Sequence, residues 1–128
     1  MTRDLSTSSL EFVEAVKLRP DIKDFYGNLP LYYCLDRNDV PLITHLFKRG
    51  KDYFNLRNYS FETIFHVAAR KGALDSLKVL IDDLKFGRDE LLKKDFKGNT
   101  PLHMAAKYAK VQMLEFMMTE GQKEMLEI

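Results

Sequence analysis

The chain has few of the residues that mark secreted, metal-binding or membrane-spanning proteins. It contains one cysteine, Cys34, no tryptophan and three histidines. A lone cysteine excludes an internal disulfide, and three scattered histidines do not form a zinc-binding pattern. No apolar run approaches the roughly 20 residues of a transmembrane helix, and residues 1–11 lack the apolar core of a secretory signal. We therefore expect an intracellular, cytoplasmic chain without metal, cofactor or membrane insertion.

A large excess of charge of one sign is also absent. The 20 Lys and Arg residues nearly balance the 19 Asp and Glu residues, which leaves a net charge of +1. This balance does not indicate a nucleic-acid or membrane partner. We find no paired carboxylates, glycine-rich phosphate loop or Ser-His-Asp arrangement, so we predict no catalytic residue and no enzyme. The length and the 45% apolar content fit one folded domain.

What the sequence does contain is a turn joined directly to a helix start, DFKGNTPLHMAA, at residues 95–106. Gly98 supplies the positive φ that a tight turn requires. Thr100 can cap a helix by accepting from the backbone N–H of His103, and Pro101 suits the first helical position. The segment therefore predicts a helix that begins at Pro101.

Two diverged copies of this segment precede it. His66 stands 37 residues before His103 (103 − 66), and Tyr32 stands 34 residues before His66 (66 − 32). A period in the mid-thirties is typical of a protein built from stacked repeats. At these residues the chain resembles the ankyrin repeat, whose units consist of a turn, Thr-Pro-Leu-His and two antiparallel helices.

The resemblance implies an all-α solenoid of stacked helix-turn-helix units joined by β-hairpin-like loops. We predict a single domain with a partial repeat or cap at 1–23, repeats at 24–57, 58–94 and 95–121, and an extension at 122–128. The resemblance also implies a non-catalytic scaffold or adaptor that binds a partner protein or peptide through its concave face and hairpin tips. The alternative is a cytosolic regulatory segment of a larger enzyme, channel or acyltransferase.

The first two copies depart from the repeat pattern at particular positions. In the first copy, Leu29 replaces the capping Thr and Tyr32 replaces the His. We therefore expect the backbone N–H groups of its first helical turn to have fewer hydrogen-bond partners. Phe61 replaces the turn glycine of the second copy, so the sequence does not decide whether this copy forms the same tight turn. Asn38 replaces the glycine between two helices, and asparagine tolerates the left-handed conformation.

Helical spacing places six helices along the repeats. We predict them at residues 30–37, 40–50, 64–71, 74–84, 101–108 and 111–120. Residues 85–90 form either a lengthened helix or a longer return loop. We expect Leu114, Met117 and Met118 to face the core; the five late methionines either fill that core or leave a sticky repeat end that supports self-association.

The predicted hairpin tips carry one basic and one aromatic residue each. Phe25, Tyr59 and Phe96 follow the Asp or Asn that opens each turn, and stacking would align them. Exposed aromatics beside basic residues are common interface anchors; the alternative is that the rings pack on neighbouring hairpins. The candidate partner-binding residues of the tips are Phe25, Tyr26, Arg57, Tyr59, Lys94, Phe96 and Lys97, with Lys23 as the basic residue of the first tip.

A second basic group lies at the ends of the first helices, which face the inner groove in this family. Its candidate partner-binding residues are Arg37, Arg70, Lys71, Lys107 and Tyr108. Because arginine grips carboxylate or phosphate in a bidentate manner, we expect an acidic or phosphorylated partner. The alternative is a set of solvated helix ends whose basic residues favour the helix dipole.

The remaining polar candidates have structural explanations. The resemblance implies that His66 and His103 hydrogen-bond to backbone at the turns. Cys34 aligns with Ala105, so it is expected to be a small buried side chain rather than a nucleophile.

Overall fold

The computed structural model describes residues 20–126, with side chains to residue 118, and shows three helix pairs in that range. The helices are α1 (Pro30–Asp36), α2 (Val40–Arg49), α3 (Ile64–Lys71), α4 (Leu74–Lys78), α5 (Pro101–Lys107) and α6 (Val111–Leu126). A π-helical turn over Val79–Asp83 continues α4, and 3₁₀ turns span Lys51–Asn55 and Arg88–Leu92. The partial repeat predicted before residue 20 lies outside the described residues.

The helix pairs stack side by side, as the repeat pattern predicts. Within residues 20–126, which contain no strand, α1 contacts α3 and α3 contacts α5. Small side chains lie fully buried at equivalent positions of these first helices, at Cys34, Ala68 and Ala105. They let the helix axes approach closely, which confirms the expected environment of Cys34. Burial raises the pKa of the Cys34 thiol to about 12, so the thiol stays protonated at neutral pH.

Each helix pair is entered through a turn of the same construction. In the first turn the Asp24 carboxylate accepts the backbone N–H groups of residues 26 and 28, both at 2.9 Å. Asn58 and Asp95 accept the corresponding pairs of N–H groups at 2.9 to 3.0 Å. Phe61 adopts a φ of 62°, close to the 81° of Gly98, so the second turn keeps its geometry without glycine. Asn38, with a φ of 54°, is left-handed as predicted.

The helix starts differ in the way the sequence predicts. Thr63 and Thr100 each form a capping box with the histidine three residues later. Leu29 gives α1 no side-chain cap, as expected. The Tyr32 hydroxyl nevertheless lies 2.8 Å from the Leu56 carbonyl and 2.9 Å from the Glu62 carbonyl. Tyr32 therefore joins the first helix pair to the second turn, a role that the sequence did not reveal.

His66 makes the equivalent connection between the second pair and the third turn. Its Nδ1 accepts the backbone N–H of Thr63 at 3.1 Å, so the ring hydrogen resides on Nε2. Nε2 then donates to the Asn99 carbonyl at 2.8 Å. The structural role that the resemblance implies for His66 is confirmed. The imidazole is fully buried, and both of its nitrogens are used.

Some predicted details are wrong. Met118 is 37% exposed rather than inward, whereas Met104, Met113 and Met117 are buried and Leu114 is half-buried. Helix α6 continues to Leu126 instead of stopping at Glu120, because Gly121 is accommodated within it. Residues 85–90 belong to a return loop, since Lys85 has a φ of 63° and a 3₁₀ turn follows at Arg88.

The buried imidazole makes stability depend on pH. Burial lowers the pKa of His66 below the ordinary value of about 6.5, and a proton on Nδ1 would also confront the Thr63 N–H. The unfolded chain therefore binds more protons between the folded and unfolded pKa values, and the free energy of unfolding falls as pH decreases through that window.

We expect the free energy of unfolding of the wild-type chain, measured with a denaturant, to fall as the pH is lowered from 7.5 to 5.5. A His66→Gln variant should start less stable and show a shallower slope over this range. Equal slopes in the two proteins would show that His66 is not the titrating group.

Candidate functional site

The hairpin tips form a row of exposed aromatic side chains. Phe25, Tyr59 and Phe96 are 90%, 63% and 72% exposed, although the Phe96 ring also packs on Phe61 of the neighbouring hairpin. Adjacent tips are joined through the backbone, from Tyr59 N–H to the Tyr26 carbonyl at 3.1 Å and from Phe96 N–H to the Ser60 carbonyl at 3.2 Å. These bonds hold the tips in register, which is why equivalent residues become neighbours.

Arg57 connects the second and third hairpin tips. Its guanidinium carbon lies 3.8 Å from the Phe61 ring centre, and the Phe61 ring stacks on Phe96 with centroids 5.0 Å apart. Arg57 Nη1 also donates to the carbonyls of Phe61 and Lys94, at 3.0 and 2.8 Å. Arg57, predicted as a contact residue, therefore mainly supports the tip that presents Phe96.

A groove with a volume of about 330 Å³ lies between the second and third turns and the ends of α3 and α5. It brings together half of the twelve candidate residues. Its lining consists of Tyr59, Ser60, Glu62, Arg70, Asp95, Phe96, Lys97, Asn99, Met104, Lys107 and Tyr108.

The charges of the groove are partly paired. Arg70 Nη1 donates to Glu62 Oε2 at 2.5 Å, and Glu62 Oε1 accepts the Asn58 amide at 2.8 Å. Asp95 is held in its turn; burial alone would raise its pKa, but hydrogen bonds from the backbone of Asn99 and Lys97 outweigh this and lower it. Lys97 and Lys107 are exposed. The groove thus offers two exposed ammonium groups and one anchored guanidinium.

The other candidate residues lie outside the groove lining. Phe25 and Tyr26 pack edge to face on the first tip, with centroids 5.6 Å apart. Lys71 pairs with Asp36 at 3.2 Å, which connects the ends of α3 and α1. Arg37 is half-buried, and Lys94 is exposed beside the groove-lining Asp95.

Sequence reasoning missed the groove residues that carry neither an exposed aromatic ring nor a positive charge. Glu62 and Asn99 occupy the same turn position in successive copies, and alignment of the copies would have found them. Met104, with 4% of its surface exposed, contributes to the lining from α5. Its alignment with Val67 indicated a buried position but not that it bordered a groove.

The chemistry available in the groove is that of exposed aromatic rings and cations. Among the described residues no group of three His, Cys, Asp or Glu side chains is placed to hold a metal ion, and no helix there is long and apolar enough to cross a membrane. The titratable groups of the groove are ion-paired, fixed in turns or open to solvent. What they can do chemically is attract and orient an anionic or aromatic group.

The Phe61 stack can be tested through stability. A left-handed backbone costs a non-glycine residue about 1 kcal/mol or more of stability, which Phe61→Gly would recover. The same change makes the unfolded chain more flexible, and this lowers the free energy of unfolding by about 0.4–1 kcal/mol. The stack and the cation–π contact add about 1–2 kcal/mol. We expect Phe61→Gly to lower the free energy of unfolding by about 1 kcal/mol in urea denaturation. A variant at least as stable as wild type would show that the stack does not offset the strain.

Comparison with known proteins agrees with this architecture. A family model for "Ankyrin repeats (3 copies)" matches residues 31–126. Inversin of Gallus gallus is 32% identical over 98 residues, which are 77% of this chain and 8% of inversin. The NF-kappa-B inhibitor cactus of Drosophila yakuba is 31% identical over 90 residues, 70% of this chain and 18% of cactus.

A third relative is an ion-channel subunit, the human transient receptor potential cation channel subfamily A member 1. It is 28% identical over 123 residues, which are 96% of this chain and 10% of the channel subunit. The chain therefore spans less than a fifth of the length of each of these relatives. Ankyrin-repeat domains are generally non-catalytic protein-interaction modules. The stacked helix pairs, the turns between them and the match over residues 31–126 show that the chain belongs to the ankyrin-repeat family.

Proposed function

We propose that this chain is a non-catalytic scaffold or adaptor module that binds a partner protein or peptide through the groove and the hairpin tips. The observation that carries the proposal is the grouping of Tyr59, Phe96 and Tyr108, all exposed, around one groove that also contains cations. Exposed aromatic and arginine residues dominate binding energy in protein interfaces. Backbone bonds between the tips hold this surface in shape before a partner arrives.

We further propose that the partner presents an acidic or phosphorylated segment. Lys97 and Lys107 are exposed at the groove, whereas Glu62 and Asp95 are held by intramolecular bonds. An anion would gain two flexible ammonium groups and the free edge of Arg70. Such charge complementarity raises the association rate and selects against basic partners.

A protein of this kind would act inside the cell. The Cys34 thiol is buried and free, which fits a reducing compartment in which structural disulfides are rare. We therefore propose that the chain is cytoplasmic.

Partner binding can be measured with variants of the tips. We expect a triple variant, Phe25→Ala with Tyr59→Ala and Phe96→Ala, to lose at least about tenfold of its affinity for a captured partner, because each anchor can contribute more than about 1 kcal/mol. Val111→Ala, which removes an exposed apolar side chain at the start of α6, is the matched control.

The measurement is titration of the purified partner by calorimetry, with circular dichroism to confirm that the variants fold. Full affinity of a folded triple variant would overturn the proposed contact surface.

A second candidate is that the chain is a regulatory segment of a larger protein such as an enzyme, channel or acyltransferase. The observation that favours it is the small share of each relative that the chain covers, 10% in the case of the channel subunit. A serine/threonine-protein kinase of Arabidopsis thaliana, 29% identical over 103 residues, also contains a similar segment, which is 21% of its length. In that setting the same groove would bind a neighbouring domain.

The outer face of the third repeat suggests self-association. Phe65, His66 and Ala69 are fully buried beneath the third repeat, whereas their equivalents Leu102, His103 and Ala106 are half-buried or exposed. We therefore propose that this face also contacts a second copy of the chain.

We expect sedimentation equilibrium to show reversible association of the wild-type chain with a Kd of about 100 µM. This Kd corresponds to a binding free energy of roughly 5–6 kcal/mol. Leu102→Glu should abolish the association by placing a charge on this face. Lys48→Gln on α2 also lowers the net charge by one and is the charge-matched control. A wild-type chain that stays monomeric throughout would contradict self-association.

A further inference from the structure

We propose that the groove between the second and third repeats accepts an aryl phosphate, the phosphotyrosine side chain of a partner protein. This rests on the proposed function and narrows the partner's chemistry. The groove combines two features that this side chain needs together, an aromatic and apolar wall and a set of cations. Each feature alone would favour a different ligand.

The wall is built from aromatic rings on two sides. Tyr59 and Phe96 come from successive hairpin tips, Tyr108 comes from the end of α5, and buried Met104 adds an apolar surface. The volume of about 330 Å³ has room for a phenyl ring and a phosphate group. A ring between other rings gains offset or edge-to-face contacts beyond simple burial. A phosphoserine side chain has no ring and would leave this wall uncovered.

The number of cationic side chains in the lining matches the three acceptor oxygens of a phosphate. Arg70, Lys97 and Lys107 supply three positive charges to the lining, and Glu62 and Asp95 supply two negative charges, so the lining carries a net charge of +1 (3 − 2). A phosphate carries about −1.5 to −2 at neutral pH and has three acceptor oxygens. Two exposed lysines and one arginine can each donate to a separate oxygen.

Glu62 holds the arginine in position. Its carboxylate is fixed by the Asn58 amide on one oxygen and by Arg70 Nη1 on the other. A guanidinium has five N–H donors, and this ion pair occupies one of its nitrogens. The other donors of Arg70 remain for a phosphate, and the side chain is already ordered, so less conformational entropy is lost when the anion binds.

The test is a titration of the full ¹⁵N-labelled chain with phenyl phosphate, followed by NMR. O-phospho-L-serine, phenol and AMP are titrated in parallel. We expect phenyl phosphate to bind about tenfold more tightly than phosphoserine or phenol, with the largest shifts at the backbone amides of residues 59–62 and 95–99. Equal binding of phenol and phenyl phosphate, or tighter binding of AMP, would overturn the aryl phosphate assignment.

Variants separate the two halves of the site. Lys97→Gln and Lys107→Gln should each weaken phenyl phosphate severalfold, whereas Phe96→Ala should weaken phenyl phosphate and leave phosphoserine unchanged. Lys48→Gln, an exposed lysine on α2 outside the groove lining, is the control and should change nothing. Variants that fold but bind phenyl phosphate like wild type would exclude this groove.

A captured partner distinguishes this inference from the proposed function. If the partner binds in a manner that depends on Tyr59 and Phe96 but not on phosphatase treatment, the interaction module stands and the phosphotyrosine assignment fails. If phosphatase treatment abolishes binding and phosphotyrosine peptides from the partner restore it, both stand. Binding that depends on neither residue would remove both.

Discussion

The hydrogen bond from the His66 imidazole to the Asn99 carbonyl decides how the second and third repeats meet. It connects the start of one first helix to the turn that begins the next helix pair, and it is fully buried at the imidazole. An unpaired carbonyl or ring nitrogen at that depth would cost about 1–3 kcal/mol. This bond therefore helps to fix the register between the second and third repeats.

The same connection is made one repeat earlier by a different side chain. The Tyr32 hydroxyl reaches the Glu62 carbonyl, and Glu62 and Asn99 occupy equivalent turn positions. Both acceptors belong to residues that also line the groove. The bonds that hold the repeats together therefore also place the groove walls, and a change in either bond would alter both the stability and the shape of the groove.

Some of the positive charge at the surface is held by contacts within the protein, and some is open to solvent. Arg57 is bound to two backbone carbonyls, and Lys71 pairs with Asp36 across the ends of two first helices. The Lys71–Asp36 pair is partly exposed, and an ion pair of this kind contributes about 0–1 kcal/mol to stability. Lys97 and Lys107 are left open to solvent at the groove. A chain of nearly neutral total charge thus carries a local group of exposed cations at the groove.

The sequence by itself determined the helix pairs and the capping threonines, because each depends on residues close together in the chain, and the similarity of the copies determined the repeat period. It left open whether the aromatic residues of the tips are exposed or packed, which the tertiary structure decided. Only the tertiary structure decided that Arg57 supports a hairpin tip through the Lys94 carbonyl. It also decided that the Tyr32 hydroxyl bonds to the carbonyl of Glu62, 30 residues away, in the place of a histidine. Phe61 adopts the left-handed backbone that glycine has in the other turns. The tertiary structure also decided which six candidate residues meet in one groove. These outcomes depend on packing between repeats, where a side chain's partner lies about one period away and is not specified by its immediate neighbours.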